Sequence, residues 1–507
     1  MSRPLSMTFA ALVGGTVLIT AVAACGAGAT ATGSAGRAAD EKMTIGLAAE
    51  PATLDFTRTD GAAIPEALLV NVYEGLVKID ESTGSIVPLL AQSWTISPDR
   101  KSYTFVLRDN VTFSNGDRFD ATTVKFSIER TKTDAWTISL KRYMDVVDRV
   151  EILSPTVVKV DLREPSNDWL FRMTTRIGAM FSPHGVDDLA NRPVGTGPFV
   201  LEKWIRGDSI LLRANGRYWG TRPRLRTVTL RYFKDPTALK NALTSGGIDV
   251  IATLQSPESL PELSADKRLR VIEGSTNAEL TLSFNNSRPP LNNKLVRQAI
   301  KFAIDHEAVL QTAYAGHGTL IGSMVPPTDP WYEDLTGLYP HDPQKARQLL
   351  AQAGHPRLRL QFRIPNLPYA VSAAQVVKSQ LDQVGITADI DVLEFPARWL
   401  DVVFSKADYD MSLISHVEAR DIATFADPKY YWRYDNPRVR QLLAAAETGD
   451  EQAEIDNMKQ LARTLAEDAA ADWLFLVPNI MVADQDVVGL PKNLVGEALD
   501  LTALSRR

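Results

Sequence analysis

The run SYTFVLRDNVTFSNGDRFDATTVKFSIER, from Ser102 to Arg130, carries the clearest structural pattern in this chain of 507 residues. Between Tyr103 and Leu107, large apolar side chains alternate with smaller or polar ones, which predicts a strand with one buried face. Asn115-Gly116 supplies a turn suited to positive φ. Asp120 then precedes a segment of helical spacing and predicts the cap of a helix. The run therefore predicts a strand, a hairpin and a helix in that order.

Two later segments carry helical patterns of apolar residues. The segment from Leu295 to Tyr314 has one apolar stripe, and Asp305 within it predicts the cap of a second helix. The segment from Asp342 to Gly354 begins with a capping aspartate followed by proline and ends with glycine, which predicts both ends of a helix. Strand and helix patterns alternate along the chain without a repeat, as is typical of a mixed α/β fold.

The N-terminus has the order of features found in an export signal. Arg3 precedes an apolar stretch from Phe9 to Ala24, which ends in small residues directly before Cys25, the only cysteine. This order resembles a bacterial lipoprotein signal, so we expect residues 1–24 to be removed and Cys25 to carry lipid. Residues 25–41, rich in Gly, Ala, Ser and Thr, then predict a flexible tether. An ordinary secretory signal with an incidental cysteine remains the alternative.

Composition limits the classes of function. Hydrophobic residues make up 45% of the chain, charged residues 23%, and the formal net charge is -6. These values indicate a globular protein and argue against a general nucleic-acid binder. The body is longer than one core usually supports, so we expect at least two lobes. The run Gly195-Thr196-Gly197 lacks the Lys-Ser or Lys-Thr of a phosphate loop, and the histidines are dispersed, so we predict no cofactor, metal site or catalytic centre.

Short motifs follow one another in a fixed order through most of the chain. They are Val72–Val77, Pro88–Trp94, Tyr103–Arg108, Val111–Gly116, Val124–Arg130, Gly195–Phe199, Asn215–Trp219, Phe284-Asn285, Val296–Ala299, Ala303–Asp305 and Asp342–Gly354. In order and spacing they resemble the extracellular solute-binding proteins, family 5, which are the peptide-, dipeptide- and nickel-binding components of ABC importers.

The resemblance implies a fold and a division into domains. The fold would be the two-lobe α/β periplasmic-binding-protein (Venus-flytrap) type, of the large kind, with an extra subdomain inserted in lobe I. The chain would cross between the lobes near Ser283 and Asp472 and hinge there. The expected divisions are lobe I at residues 42–77, 194–283 and 473–507, the inserted subdomain at 78–193, and lobe II at 284–472.

The segment from Ser415 to Tyr434 holds the main candidates for solute binding. In peptide-binding relatives the equivalent loop carries an aspartate that pairs with the α-ammonium of the ligand, and here the first candidate is Asp421 and the second Glu418. An ordinary ion pair between Asp421 and Arg420 is the open alternative. Asp427 is expected to be structural, bonding loop amides before proline. His416 could bind a metal or haem, or act as a plain hydrogen-bonding group.

Further candidates come from three other places. Strand-like alternation would point Tyr430 and Trp432 to one side, where they could stack on a solute. The resemblance also places Trp399 near the pocket. It implies as well that the loop holding Glu50 and Ala52 meets an extended ligand with its backbone.

Together these features predict a receptor that captures a small solute, with a short peptide as the expected solute, and delivers it to an ABC permease and its ATPase subunits. We expect a monomer, held by lipid on Cys25 at the extracytoplasmic face of the cell membrane. Alternatives on the same scaffold are a nickel chelate, haem or another solute. From other classes, a regulatory lipoprotein and an extracytoplasmic hydrolase remain open.

Overall fold

The structure is a computed structural model that describes residues 41–59, 61–395 and 397–507. The predicted signal peptide, Cys25 and the tether up to residue 40 lie outside the described residues. Residues 40–507 form one compact unit. Within the described ranges, no helix is both long and apolar enough to cross a membrane.

The strands of the described residues are short. In chain order they are β1 (Lys42–Leu47), β2 (Val77–Ile79), β3 (Ile86–Pro88), β4 (Ala91–Ile96), β5 (Ser102–Leu107), β6 (Val147–Ser154), β7 (Val157–Leu162), β8 (Phe199–Ile205), β9 (Ser209–Ala214), β10 (Thr227–Tyr232), β11 (Val250–Ile251), β12 (Leu269–Gly274), β13 (Glu279–Phe284), β14 (Leu358–Pro365), β15 (Ile386–Leu393), β16 (Met411–His416), β17 (Ala471–Leu476), β18 (Asn479–Asp484), β19 (Val487–Val488) and β20 (Ser505–Arg506).

The α-helices of the described residues are α1 (Ala63–Leu68), α2 (Ala121–Thr131), α3 (Asn167–Arg172), α4 (Pro236–Thr244), α5 (Leu260–Ala265), α6 (Lys294–Ala303), α7 (His306–Tyr314), α8 (Pro343–Gln352), α9 (Pro368–Gln383), α10 (Ala397–Trp399), α11 (Pro437–Thr448) and α12 (Glu451–Glu467). Short 3₁₀ turns span Ser139–Met144, Arg176–Gly178, Pro183–Gly185, Pro257–Ser259, Thr336–Leu338 and Asp421–Ala426, and a π-helical turn spans Leu400–Ser405.

The predicted helix caps are confirmed. The Asp120 side chain accepts from the amides of residues 122 and 123 at the start of α2. Asp305 accepts from Ala308 at the start of α7, and Asp342 from Lys345 at the start of α8. Each carboxylate satisfies amides that the first turn of a helix leaves unpaired, which is why these ends can be predicted from the sequence.

Three larger sheets organise the described residues. The first has seven strands in the order β12-β18-β11-β1-β10-β9-β8, with β1 parallel to both β10 and β11; we call it the lobe I sheet. The second has four antiparallel strands in the order β4-β5-β7-β6, all within the predicted inserted subdomain. The third has five strands in the order β15-β14-β16-β13-β17; we call it the lobe II sheet. Two lobes with an inserted sheet are the architecture expected from the resemblance.

The two faces of the lobe II sheet differ in what covers them. Leu280, Leu282 and Phe284 of β13 face a core built with helices α6 to α9. The alternate residues of β13, which are Glu279, Thr281 and Ser283, lie on the opposite face because successive strand side chains alternate. That opposite face is covered by aromatic side chains of the segment before α11 and by apolar side chains of α11 and α12. The loop predicted to bind solute therefore packs against the face of β13 that carries its polar side chains.

The crossings between the sheets lie closer to the lobe I sheet than expected. β13 begins the lobe II sheet at Glu279 and β17 leaves it at Leu476, each paired along its length. The chain therefore passes between the sheets at 275–278 and 477–478, and not near Ser283 and Asp472, which both lie inside lobe II strands. The remaining limits of the lobes stay a prediction.

The run Gly195-Thr196-Gly197 forms a close backbone contact in lobe I. A Cβ atom on Gly195 would collide with the backbone of Val72, and one on Gly197 with the backbone of Asn71 and Val72, so glycine is needed at both positions. Thr196 donates through its hydroxyl to buried Glu74 at 2.7 Å. The segment thus packs against the first family motif, in agreement with its prediction as a turn and not a phosphate loop.

Candidate functional site

The candidate site is centred on the segment that follows β16. The predicted strand at Met411–Ile414 is confirmed and extends to His416 at the end of the lobe II sheet. Arg420 adopts positive φ, and Asp421 opens the 3₁₀ turn that follows. This change of direction brings the Asp421 carboxylate within hydrogen-bond distance of the His416 ring.

His416 is the centre of a buried chain of hydrogen bonds. Its Nδ1 lies 3.1 Å from Oδ2 of Asp421, and its Nε2 lies 2.7 Å from the Tyr431 hydroxyl. The Tyr431 hydroxyl in turn lies 2.9 Å from Oγ of Ser283 on β13. With the proton on Nδ1, the imidazole donates to Asp421 and accepts from Tyr431, so both nitrogens are used. His416 therefore has the hydrogen-bonding role that was one of its two predicted readings.

Asp421 is almost fully buried, with an exposed fraction of 6%. Burial raises its pKa, and the hydrogen bond from His416 and the charge of Arg172 oppose that rise. The alternative of an ion pair with Arg420 is wrong: the Arg420 guanidinium lies 3.7 Å from Glu454 and stacks over Phe171 and Trp331. The carboxylate is thus held by the histidine beside it and not by the arginine next to it in sequence.

Glu279 is a further acidic residue of this site that was not predicted from the sequence. It lies opposite His416 in the antiparallel pairing of β13 and β16, and directly opposed residues share one face of a sheet. Its exposed fraction is 2%, and its Oε2 has no hydrogen-bond partner among the described residues. Burial and then the negative charge of Asp421 raise its pKa well above the ordinary value. The sequence signal was a single charged residue at the head of an apolar strand.

Glu418, the second candidate, lies at the exposed edge of the same loop. Desolvation and then the charge of Asp421 raise its pKa, while His416 and Arg176 lower it. Arg176 belongs to the predicted inserted subdomain and contacts Glu497 near the C-terminus at 2.7 Å. The charges of Arg176 and Glu497 therefore both act on the Glu418 carboxyl.

The inserted subdomain and lobe II touch each other through helix α3. Asn167 donates through Nδ2 to the carbonyls of Ala446 at 2.6 Å and Gly449 at 3.0 Å, at the C-terminal end of α11. Ser166 and the amide of Asp168 both donate to Glu447 on the same helix. These contacts join parts of the chain that are about 280 residues apart in sequence. The two bodies are therefore in contact across the candidate site.

Closer to Asp421, a second set of interlobe contacts involves arginines. Arg172 of α3 donates to the carbonyl of Ala419 at 3.4 Å, while its Nε bonds to Asp168. Its guanidinium also lies 4.0 Å from the centre of the Tyr143 ring. Arg420 reaches in the opposite direction and stacks on Phe171 of α3 at 4.0 Å. The loop that holds Asp421 thus contacts helix α3 of the inserted subdomain through Ala419 and Arg420.

A cavity of about 580 Å³ lies between the inserted subdomain and lobe II. Tyr430 lines it from the lobe II side, and Arg142 and Tyr143 line it from the inserted subdomain. Burial raises the pKa of Tyr430, with Asp421 and Glu418 as the next contributions. Tyr430 therefore lines the cavity and is also near enough to Asp421 and Glu418 for their charges to act on its hydroxyl.

The other two predicted aromatic residues lie in the core of lobe II. Trp432 has no exposed surface and stacks on Phe425 with centroids 4.7 Å apart. Trp399 is 3% exposed and donates through Nε1 to Ser412 at 3.2 Å. The predicted alternation fails because residues 427–433 form turns and not a strand. The structure thus brings Tyr430, but not the two tryptophans, to the cavity.

Glu50 and Ala52 contact a hairpin of lobe I. The Glu50 carboxylate accepts from Nε1 of Trp204 at 2.9 Å and from the amide of Gly207. The carbonyl of Ala52 accepts from Arg206 at 2.9 Å. Among the described residues, neither is hydrogen-bonded to the lobe II loop. The structure therefore does not bring them together with Asp421.

Asp427 has the structural role predicted for it. Its Oδ1 accepts from the amide of Lys429 at 2.8 Å, across Pro428, as in an Asx turn. In the parts of the chain that the structure describes, no group of three or more His, Cys, Asp or Glu side chains is arranged to hold a metal ion.

A cavity lined by charged and aromatic groups, in a chain whose two main sheets are joined by two crossings, is the arrangement typical of a two-lobe binding protein. The sequence model of the bacterial extracellular solute-binding proteins, family 5, middle region, matches residues 85–437. The chain belongs to this family. It is therefore a solute-binding protein of the ABC-importer type, and the family consists of binding proteins and not of enzymes.

Comparison with individual proteins agrees with this assignment. The glutathione-binding protein GsiB of Salmonella paratyphi A is 29% identical over 348 residues, covering 67% of each chain. Among solved structures, the periplasmic binding protein DppA from Helicobacter pylori in complex with the peptide STSA has a TM-score of 0.79 at 23% identity, covering 92% of this chain and 98% of its own. NikZ from Campylobacter jejuni in complex with Ni(L-His) also has a TM-score of 0.79 at 23% identity, covering 92% and 100%. The expected fold class is confirmed.

Proposed function

We propose that the solute is a short peptide or peptide-like molecule, held between the lobes with its α-ammonium against Asp421. The observation that carries this proposal is the position of Asp421: a buried carboxylate, positioned by His416, in a loop that the inserted subdomain touches. A buried ammonium needs a carboxylate, because an unpaired charge in such a site costs several kcal/mol. The relatives named as glutathione-binding proteins and the solved peptide complexes support this class of solute.

The cavity fits a solute of this size. Pockets for small molecules usually measure about 300 to 1,000 Å³, and the cavity beside Tyr430 is about 580 Å³. Its lining combines aromatic surface with charged groups from both bodies, namely Arg142, Tyr143, Glu164, Asp168, Asp427, Tyr430, Arg440 and Glu447. Such a lining can pair with both charged ends of a small zwitterion.

Capture requires the lobes to move relative to each other. A solute that contacts both lobes only in the closed form stabilises that form by its difference in affinity for the two forms. The loop holding Asp421 makes contacts with the inserted subdomain through Ala419 and Arg420. Binding at Asp421 and closure onto α3 would therefore reinforce one another.

The test compares peptides that differ only in their N-terminal charge. Asp421→Asn should weaken binding of a dipeptide with a free N-terminus by about 10- to 100-fold, and should change binding of its N-acetylated form much less. Asp401→Asn, which removes an exposed carboxylate that pairs with Lys406 and does not line the cavity, is the control and should leave the difference intact. Equal weakening of both peptides by Asp421→Asn, measured by calorimetry, would remove Asp421 from the ammonium role.

We also propose that Cys25 carries the lipid that holds the protein at the membrane surface as a monomer, in contact with a permease and its ATPase subunits. The small residues before this only cysteine support the proposal. Cys25→Ala should release the protein from the membrane fraction or leave the precursor uncleaved. Normal processing with unchanged membrane retention would contradict lipid attachment at this residue.

The other candidate functions have less support. The Ser283–Tyr431–His416–Asp421 chain contains the residue types of a hydrolase site, but the Tyr431 hydroxyl stands between Ser283 and His416. A serine nucleophile needs a base within direct hydrogen-bond reach, so this arrangement supports a structural relay over a hydrolytic centre. Both nitrogens of His416 already have partners, which gives no support to a metal or haem ligand at that position.

A further inference from the structure

The carboxyl group of Glu279 is the least satisfied buried acid near the candidate site. The other polar side chains on the same face of β13 and β16 have partners: Ser283 contacts Tyr431 and Ser412 accepts from Trp399. Oε2 of Glu279 is buried and has none. A buried carboxylate without a partner is costly, so a residue of this kind points either to a neutral acid or to a missing cation.

Neighbouring positive groups are already engaged. Arg420 contacts Glu454 and lies between two aromatic rings. Arg172 is bonded to Asp168 at 2.6 Å. On the opposite face of the lobe II sheet, Lys301 is bonded to Asp472 at 2.8 Å. Each of these cations has a carboxylate of its own, which leaves Glu279 beside the acidic Asp421.

The position of Glu279 is suited to contact with a solute. It begins β13 directly after the first crossing between the sheets, so it lies at the hinge end of lobe II. It is a cross-strand neighbour of His416, and His416 contacts the carboxylate proposed to hold the ammonium. Two carboxylates therefore flank one imidazole at the base of the interlobe region.

We propose that Glu279 forms a second cation subsite, and that the preferred solute carries a basic group, an ammonium or a guanidinium, in addition to the one assigned to Asp421. This inference rests on the proposed function and narrows its class of solute. A single ammonium at Asp421 would leave Oε2 of Glu279 without a partner. A solute with two basic groups satisfies both, and its second group makes a charge-assisted hydrogen bond to Oε2 of Glu279.

The experiment compares isosteric peptide pairs on the full chain. Lys-Ala and Ala-Lys are titrated by calorimetry against Nle-Ala and Ala-Nle, in which norleucine replaces the ammonium by a methyl group. At least one lysine peptide should bind about 10- to 100-fold more tightly than its norleucine partner. Glu279→Gln, which keeps the shape of the side chain, should abolish that preference. Glu273→Gln is the matched control, because Glu273 lies on the other side of the crossing and contacts His317.

The outcomes separate this inference from the peptide assignment. Equal binding of lysine and norleucine peptides, or a lysine preference that survives Glu279→Gln, would overturn the cation subsite and leave the peptide function standing. If no dipeptide binds but putrescine or free lysine stabilises the wild-type chain and not Glu279→Gln, the subsite stands and the peptide assignment fails. Binding of none of these probes would overturn both. Thermal unfolding of each variant confirms that it is folded.

Discussion

Removal of the Asn167 side chain should shift the protein toward a more open form. Asn167 donates from one amide group to two carbonyls at the end of α11, at 2.6 and 3.0 Å, across the contact between the inserted subdomain and lobe II. A hydrogen bond contributes about 0.5 to 1.5 kcal/mol net, so Asn167→Ala should cost the closed form about 1 to 3 kcal/mol. This free energy corresponds to about a 5- to 150-fold change in the ratio of closed to open molecules.

The assay is small-angle X-ray scattering with and without solute, together with the dissociation constant of that solute. We expect Asn167→Ala to increase the radius of gyration of the solute-free protein. It should also raise the dissociation constant of the solute, by no more than the change in the ratio of closed to open molecules. Asn167→Asp, which keeps an acceptor for Arg100 but removes the amide donor, should also weaken the contact, because it places a carboxylate oxygen opposite two carbonyls. Asn191→Ala is the control, since Asn191 bonds only to the nearby Asp188 on the surface. Unchanged scattering and affinity in both Asn167 variants would refute a role of this contact in closure.

Two further predictions concern stability and its dependence on pH. Asp472→Asn should reduce the free energy of unfolding by about 3 to 5 kcal/mol, because it leaves the buried ammonium of Lys301 without its carboxylate. The control is Asp382→Asn, which breaks the exposed ion pair with Lys378 and should reduce the free energy of unfolding by less than about 0.5 kcal/mol. Burial raises the pKa of Glu74 from 4.5 to about 7, so the folded state holds a proton that the unfolded state releases, and stability should fall as pH rises from about 4.5 to about 7. Urea titrations at about pH 4.5 and about pH 7 measure the loss of unfolding free energy between these two pH values. Glu74→Gln should make that loss smaller by up to about 3 kcal/mol. The same loss in the variant as in the wild-type chain would contradict the raised pKa.

Local features were predictable from the sequence because neighbouring residues determine them. Asp120, Asp305 and Asp342 each cap the helix that follows within three residues. The strand at 102–107 follows from its alternation, and Asp427 before Pro428 follows from the chemistry of an Asx turn. Such features depend on hydrogen bonds between residues that are close in sequence, so the local sequence is enough to predict them.

The features that sequence analysis missed depend on distant pairing. The crossings at 275–278 and 477–478 are set by where β13 and β17 begin and end their mutual hydrogen bonds. Tyr431 and Trp432 are both buried because a turn with positive φ at Arg433 replaces the expected strand. Glu279 becomes a candidate site residue only because strand pairing places it opposite His416, which is 137 positions further along the chain. None of these relations has a short-range pattern by which it could be found.

The residue proposed to hold the solute and the residues that contact the inserted subdomain belong to the same short loop. Asp421 is positioned by His416, while the two residues before it, Ala419 and Arg420, contact α3 of the inserted subdomain. A solute that draws Asp421 into an ion pair therefore orders the same backbone that α3 must meet on closure. Conversely, contact with α3 excludes water from the carboxylates and strengthens their attraction for a cation. Solute charge and lobe closure are thus coupled through the segment from Ser415 to Tyr431, and a variant that weakens one should weaken the other.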